Sequence, residues 1–174
     1  MVYIHYKLGL KSSRQPQSIY QGAIKIGEIE RTYKNSFIYW LDTIALKGNW
    51  FISYAIRDTE GNTVINAKDT STLLSRQFNI HYQDAGLINH RISLKHQREI
   101  NLSYTIYNFT FKGETYCIKK EKFKPANLLW NDIVIAEWNI AIFNRTVKLQ
   151  IFEKLLDEPL LVLVLFHSAF GNQR

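Results

Sequence analysis

The sequence predicts a mainly β protein, a closed antiparallel barrel of about twelve strands around one buried C-terminal α-helix. Three observations predict it. Short segments of alternating apolar and polar residues recur along most of the chain with turn residues between them, the pattern of a sandwich or barrel. The stretch from Leu160 to Phe170 is apolar on every side, and a helix of that kind must be enclosed. The composition is that of a globular chain: 174 residues, 46% hydrophobic, 14% aromatic, with eight Gly and three Pro. It excludes disordered, collagen-like and linker proteins. The length fits one domain over residues 1–174.

The expected strands are 2–8, 19–33, 37–46, 50–57, 63–68, 74–82, 87–94, 100–111, 115–123, 132–142 and 147–153. The second becomes two if it breaks at Gly22 or Gly27. Lys47-Gly48-Asn49, Asp58 to Asn62, Asp84-Ala85-Gly86 and Lys112-Gly113 read as hairpin turns, supplying Gly or Asn where positive φ is needed. Lys11 to Gln17 is polar and reads as a surface loop. No domain linker stands out.

The C-terminus breaks the β pattern. Asp157 suits an N-cap, Pro159 the first turn and Gly171-Asn172 the stop. These paired signals favour a core helix over about 157–171, with a buried strand as the rival reading. The apolar run is too short for the ~20 residues a membrane span needs. Geometry makes the barrel economical. Twelve tilted strands close at a radius of about 12 Å, which leaves a bore near the 10–12 Å diameter of a helix, whereas eight strands fill themselves.

Several segments in order carry a resemblance. They are Ile56-Arg57-Asp58-Thr59-Glu60-Gly61-Asn62-Thr63-Val64, Leu73 to Ile80, Asp84-Ala85-Gly86, Tyr104-Thr105-Ile106-Tyr107, Tyr116-Cys117-Ile118-Lys119-Lys120 and the closing apolar helix. From about residue 50 onward the chain resembles the tubby C-terminal-like superfamily, which includes LURP-one-related proteins and phospholipid scramblases, and in particular its small bacterial-type members. The resemblance implies a twelve-stranded barrel threaded by a hydrophobic helix, and a role involving anionic phospholipids. No residue of the tubby phosphoinositide site can be aligned, so none is carried over.

Lys and Arg exceed Asp and Glu by 22 to 15, a net charge of +7, which favours anionic partners. The densest cluster is Lys119-Lys120-Glu121-Lys122-Phe123-Lys124, with Lys112 at a hairpin tip. If the strand continues, Lys120, Lys122 and Lys124 share a face and Lys119 lies opposite. These five lysines are the candidate lipid-binding residues. The plainer reading is a solvated strand exit or a protected sheet edge. Arg91, Lys95 and Arg98 form a looser second group.

Other chemistries find little support. Of His5, His81, His90, His96 and His167, the pair His81 and His90 flanks one hairpin. A three-residue loop pairing 82 with 88 and 80 with 90 sends His90 inward and His81 outward, so the two cannot share a metal. His167 reads as a core histidine, with Ser168 as its candidate hydrogen-bond partner. Cys117 reads as an inert mid-strand thiol, and there is no nucleophile elbow, phosphate loop or dinucleotide fingerprint. Phe109, Phe111 and Tyr116 near the lysines would suit nucleic acid, but a barrel of this kind uses aromatics to fill its bore.

The expectation is a non-enzymatic module without cofactor or metal that engages anionic phospholipid or a membrane surface. The alternative is a protein-interaction or scaffold module without lipid binding. A single cysteine and an N-terminus lacking a basic-then-apolar leader point to the cytoplasm, with peripheral placement at the membrane.

Overall fold

A computed structural model describes residues 1–9, 13–44, 52–72, 75–97, 103–141, 143–152 and 158–171. Twelve strands run β1 (Val2–Lys7), β2 (Gln17–Gln21), β3 (Ile24–Thr32), β4 (Ser53–Arg57), β5 (Thr63–Asp69) and β6 (Gln77–Gln83). They continue β7 (Asn89–Gln97), β8 (Tyr104–Phe111), β9 (Glu114–Glu121), β10 (Ala126–Trp130), β11 (Ile133–Ala141) and β12 (Thr146–Ile151). Each pairs antiparallel with its neighbours in sequence, and β12 closes on β1. Helix α1 (Ser36–Ile44) lies between β3 and β4, and α2 (Pro159–Phe170) follows β12. Closure gives every strand a partner on both sides, with β7 and β8 paired only over Lys95–Gln97 and Ile106–Asn108.

The core follows from alternation. Ile4 and Tyr6, Phe78 and Ile80, Tyr107 and Phe109, Tyr116 and Ile118, and Val147 and Leu149 all point inward and are buried. They surround α2, whose residues Leu161 to Phe170 are all buried. Trp138 stacks on Phe166 with ring centroids 6.2 Å apart, and Tyr107 meets Phe170 edge-on at 5.7 Å. Aromatic pairs of this geometry add to the burial term.

Several expectations change in detail. Gly22 is where the long second segment breaks, in a turn with positive φ. Residues 37–46 were expected as a strand, but 36–44 form α1. Asn35 caps it, its Oδ1 accepting the Ile38 N–H at 2.8 Å. The β-favouring Phe37, Ile38, Tyr39 and Trp40 hide that helix from a propensity reading. Conversely, β10 was not expected. It pairs with β9 and β11 and brings the total back to twelve.

The hairpin from β6 to β7 pairs Tyr82 with His90 and Ile80 with Ile92, two residues from the expected register. The positive φ falls on Leu87 rather than Gly86. A shift of two preserves the faces, so His81 is exposed while His90 stacks on Tyr82 and meets Phe111 edge-on.

At the end of α2 the expected glycine is present for a different reason. Gly171 has φ −59°, and a Cβ there would sit 2.6 Å from the His167 carbonyl oxygen. Close packing on that turn, not a left-handed cap, calls for glycine. The residue flanking the start of α2 is Glu158, whose carboxylate accepts from the Tyr82 hydroxyl instead of capping the helix. The expected cap Asp157, stop residue Asn172 and turn 47–49 lie outside the described residues, as do Trp50, Leu73, Leu74, Arg98 and Ile100.

Candidate functional site

The meander sorts its connections between two ends. The connections after β2, β4, β6, β8 and β10 gather where α2 begins; those after β1, β3, β5, β7, β9 and β11 gather where it finishes. Charge follows the same division. Near the start of α2, among the described residues, lie Asp58, Glu60, Asp84, Glu114, Asp132 and Glu158, with Lys25, Arg57 and Lys112 the basic residues among them. A hydrogen bond with His90 and the Ile88 N–H hold the Asp84 carboxyl below its usual range. At the finishing end lie Lys7, Arg14, Arg31, Lys34, Arg76, Lys120, Lys122, Lys124 and Arg145, against Asp42, Asp69 and Glu121.

Part of this basic end serves the fold. The last carbonyls of a helix carry partial negative charge, strongest where water is excluded. His167, one turn from the end of α2, is buried, and its Nδ1 shares a 2.5 Å hydrogen bond with the Tyr6 hydroxyl rather than with Ser168. Burial pushes the imidazole down to about 3, so it is neutral at physiological pH. Ser168 Oγ is also buried and has no hydrogen-bond partner among the described residues. A cavity of about 40 Å³ lies beside the ring, lined by Tyr6, Arg31, Tyr54, Arg145 and Gly171 among others. That space is of the order of one or two water molecules. Burial raises the Tyr107 phenol, and Arg76 beside it opposes that rise.

The five sequence-predicted lysines occupy three different settings. Lys112 sits on the β8–β9 turn with φ 50°, at the acidic end. β9 carries the chain about 25 Å from there to the other end. Lys119 lies on the outer wall with its Nζ 4.5 Å from the Tyr104 ring centroid. Lys120 continues the inward parity of Tyr116 and Ile118. Its Nζ lies 5.2 Å from the Phe170 ring and 5.7 Å from Trp138, and burial lowers its pKa. It closes over the core beside the end of α2.

The ladder stops at Glu121, so the expected alternation does not extend to Lys122 and Lys124. They flank Phe123 in a tight turn where Phe123 has φ 65° and is 94% exposed. Lys124 also bridges Glu121 at 2.6 Å. The structure therefore places Lys122 and Lys124 in one turn, turns Lys120 towards the core, and leaves Lys112 apart.

Of the looser basic group, Arg91 and Lys95 line an open groove of about 470 Å³ on the outside of β7 and β8. Phe111 and Tyr116 are buried core residues, as is Phe109, although Phe109 also contributes to the floor of that groove. Cys117 is half-buried on β9, on the strand face opposite Tyr116 and Ile118.

Sequence reasoning missed the apolar side of this end. Helix α1 leaves Phe37, Trp40, Leu41 and Ile44 exposed, and Phe143 on the β11–β12 turn is fully exposed. The spacing 37, 40, 41, 44 behind an Asn at 35 was the available signal.

A closed twelve-stranded barrel threaded by its own C-terminal helix defines a tubby-like architecture. The family model for the Tubby C-terminal like domain matches residues 4–172, and the chain belongs to that family. Domains of this family are generally non-catalytic binding modules. No curated protein and no solved structure matches the chain. Among the described residues, no helix is long and apolar enough to cross a membrane.

Proposed function

We propose that this barrel binds an anionic phospholipid surface and meets it with the end at which α2 finishes. The segregation of charge carries the reading: one end is acidic, the other basic, and the exposed lysines of the basic end stand clear of the core. Tubby-like domains in general bind phosphoinositides, which is consistent with a headgroup ligand. Among the described residues, Lys7, Lys34, Lys122 and Lys124 are exposed lysines there. At about 1 kcal/mol for each lysine near an anionic membrane, four would supply about 4 kcal/mol, roughly a thousandfold preference over a neutral surface. Lys119 contributes from the wall, Lys120 holds the core closed behind the contact, and Lys112 faces the other way.

A second reading, a protein-interaction module, draws on the acidic end, where Ile24, Leu87, Ile88 and Ile133 are exposed. Co-sedimentation with neutral and anionic vesicles at two salt concentrations separates the two. Lipid binding should require anionic lipid and weaken with salt. Lys122→Glu combined with Lys124→Glu should reduce it at least tenfold with the melting temperature unchanged. Binding that ignores lipid charge would overturn the proposal.

A further inference from the structure

The basic end carries an apolar feature that electrostatics does not explain. In α1 each residue turns about 100°, which places Phe37, Trp40, Leu41 and Ile44 within one arc of about 100°. All four are exposed, Phe37 and Ile44 each at 72%. The opposite side of the same helix holds its one charged residue, Asp42, which is completely buried and accepts a hydrogen bond from the Tyr33 hydroxyl at 3.2 Å. Burial pushes that phenol up to about 12, so Tyr33 stays protonated as the donor.

The orientation is held from a second side as well. The Arg14 guanidinium lies 3.8 Å from the Tyr39 ring centroid, and Tyr39 meets Tyr33 edge-on at 5.2 Å. A surface helix normally turns its apolar stripe to the core and its charges to water. This one is fixed the other way round.

We propose that α1 is an interfacial helix that lays Phe37, Trp40, Leu41 and Ile44 into the boundary between headgroups and acyl chains of an anionic bilayer. The inference rests on the lipid-surface reading above. Three observations select a membrane as the occupant. Exposed Lys34 adjoins the helix, and Lys122 and Lys124 lie at the same end, so the apolar face comes with charges complementary to anionic lipid. Phe123 and Phe143 project from two other connections at this end, 94% and 106% exposed. Those connections are six and four strands away, respectively, around a ring about 24 Å across. A broad, yielding surface can receive such dispersed apolar points. Trp and Phe on one side with lysine beside them is also the composition expected of a helix lying in the interface plane.

The test uses the full chain and vesicles of phosphatidylcholine with or without phosphatidylserine. With acyl chains brominated, tryptophan fluorescence should be quenched in the wild type, and Trp40→Phe should remove that quenching. Phe37→Ser combined with Ile44→Ser should weaken binding to anionic vesicles at least tenfold and make the remainder fully salt-sensitive, without changing the melting temperature. If the wild type binds anionic vesicles but Trp40 is not quenched, the role of α1 falls while the lipid-surface reading stands. If the wild type does not bind them, both fall. The quenching measurement needs no folded double variant, so a misfolded variant cannot obscure the outcome.

Discussion

The two helices are built from similar residues and meet opposite fates. α2 is twelve residues long, apolar on all sides, and enclosed by the barrel; α1 is nine long, apolar on one side, and turns that side outward. Hydrophobic content does not separate them. What does is whether a helix has a polar side and where that side finds its partners. α2 has no polar face to leave in water, so only complete enclosure satisfies it. α1 has Asp42, whose burial against Tyr33 settles which way the helix faces.

The sharpest way to break this comparison is to make the same kind of cut in both helices. Phe166→Ala removes a ring stacked on Trp138 in the core and should cost about 3–5 kcal/mol in a denaturant melt. Phe37→Ala, on the exposed face of α1, should change stability by about 0.5 kcal/mol or less. Equal losses would mean that α1 is a core element.

The next largest effect should be one of pH, and it belongs to α2. His167 holds its folded pKa at about 3, against an ordinary value of 6.5. Between those values the unfolded chain binds a proton that the folded one does not, so stability is complete above pH 6.5 and falls as the pH drops towards 3. Below about pH 6 the wild type should lose about 1.4 kcal/mol more per pH unit than His167→Asn, within this one-proton window. Parallel stability curves would show that His167 does not titrate as the burial argument requires.

The smallest effect has the opposite sign. Ser168 Oγ is buried without a hydrogen-bond partner among the described residues. Ser168→Ala removes that desolvation cost and should raise stability by about 1 kcal/mol, or about 2–4 °C in melting temperature for a chain of this size. A lower melting temperature would show that the hydroxyl is satisfied in solution.

How far these features were legible varied with how local their causes were. Alternation in segments such as 78–82 and 147–151 could be read directly, because its period of two is a property of the strand itself. Gly22, Gly61 and Gly113 marked turns correctly, each having positive φ. The β6–β7 register was missed by two residues, since either spacing keeps Tyr82 and Ile92 inward and turn residues alone do not choose between them. β10 escaped notice because Ala126–Trp130 is only five residues long and follows directly on Pro125. The lysine cluster was visible as composition, but nothing local announces that pairing stops at Glu121. Lys120 consequently faces the core while Lys122 and Lys124 sit in a turn.

By itself the amino-acid order determined the barrel and the rod inside it. Residues 160–170 offer no side that water could wet, and a dozen alternating segments supply the wall to enclose them. Only the tertiary structure decided which charges share an end, that α1 turns its aromatic side outward, and that Tyr6 rather than Ser168 serves His167. The facing of α1 depends on the burial of Asp42 against Tyr33. The shared ends and the bond between Tyr6 and His167, which lie 161 positions apart, depend on groups brought together by closure of the ring. No local period encodes that closure.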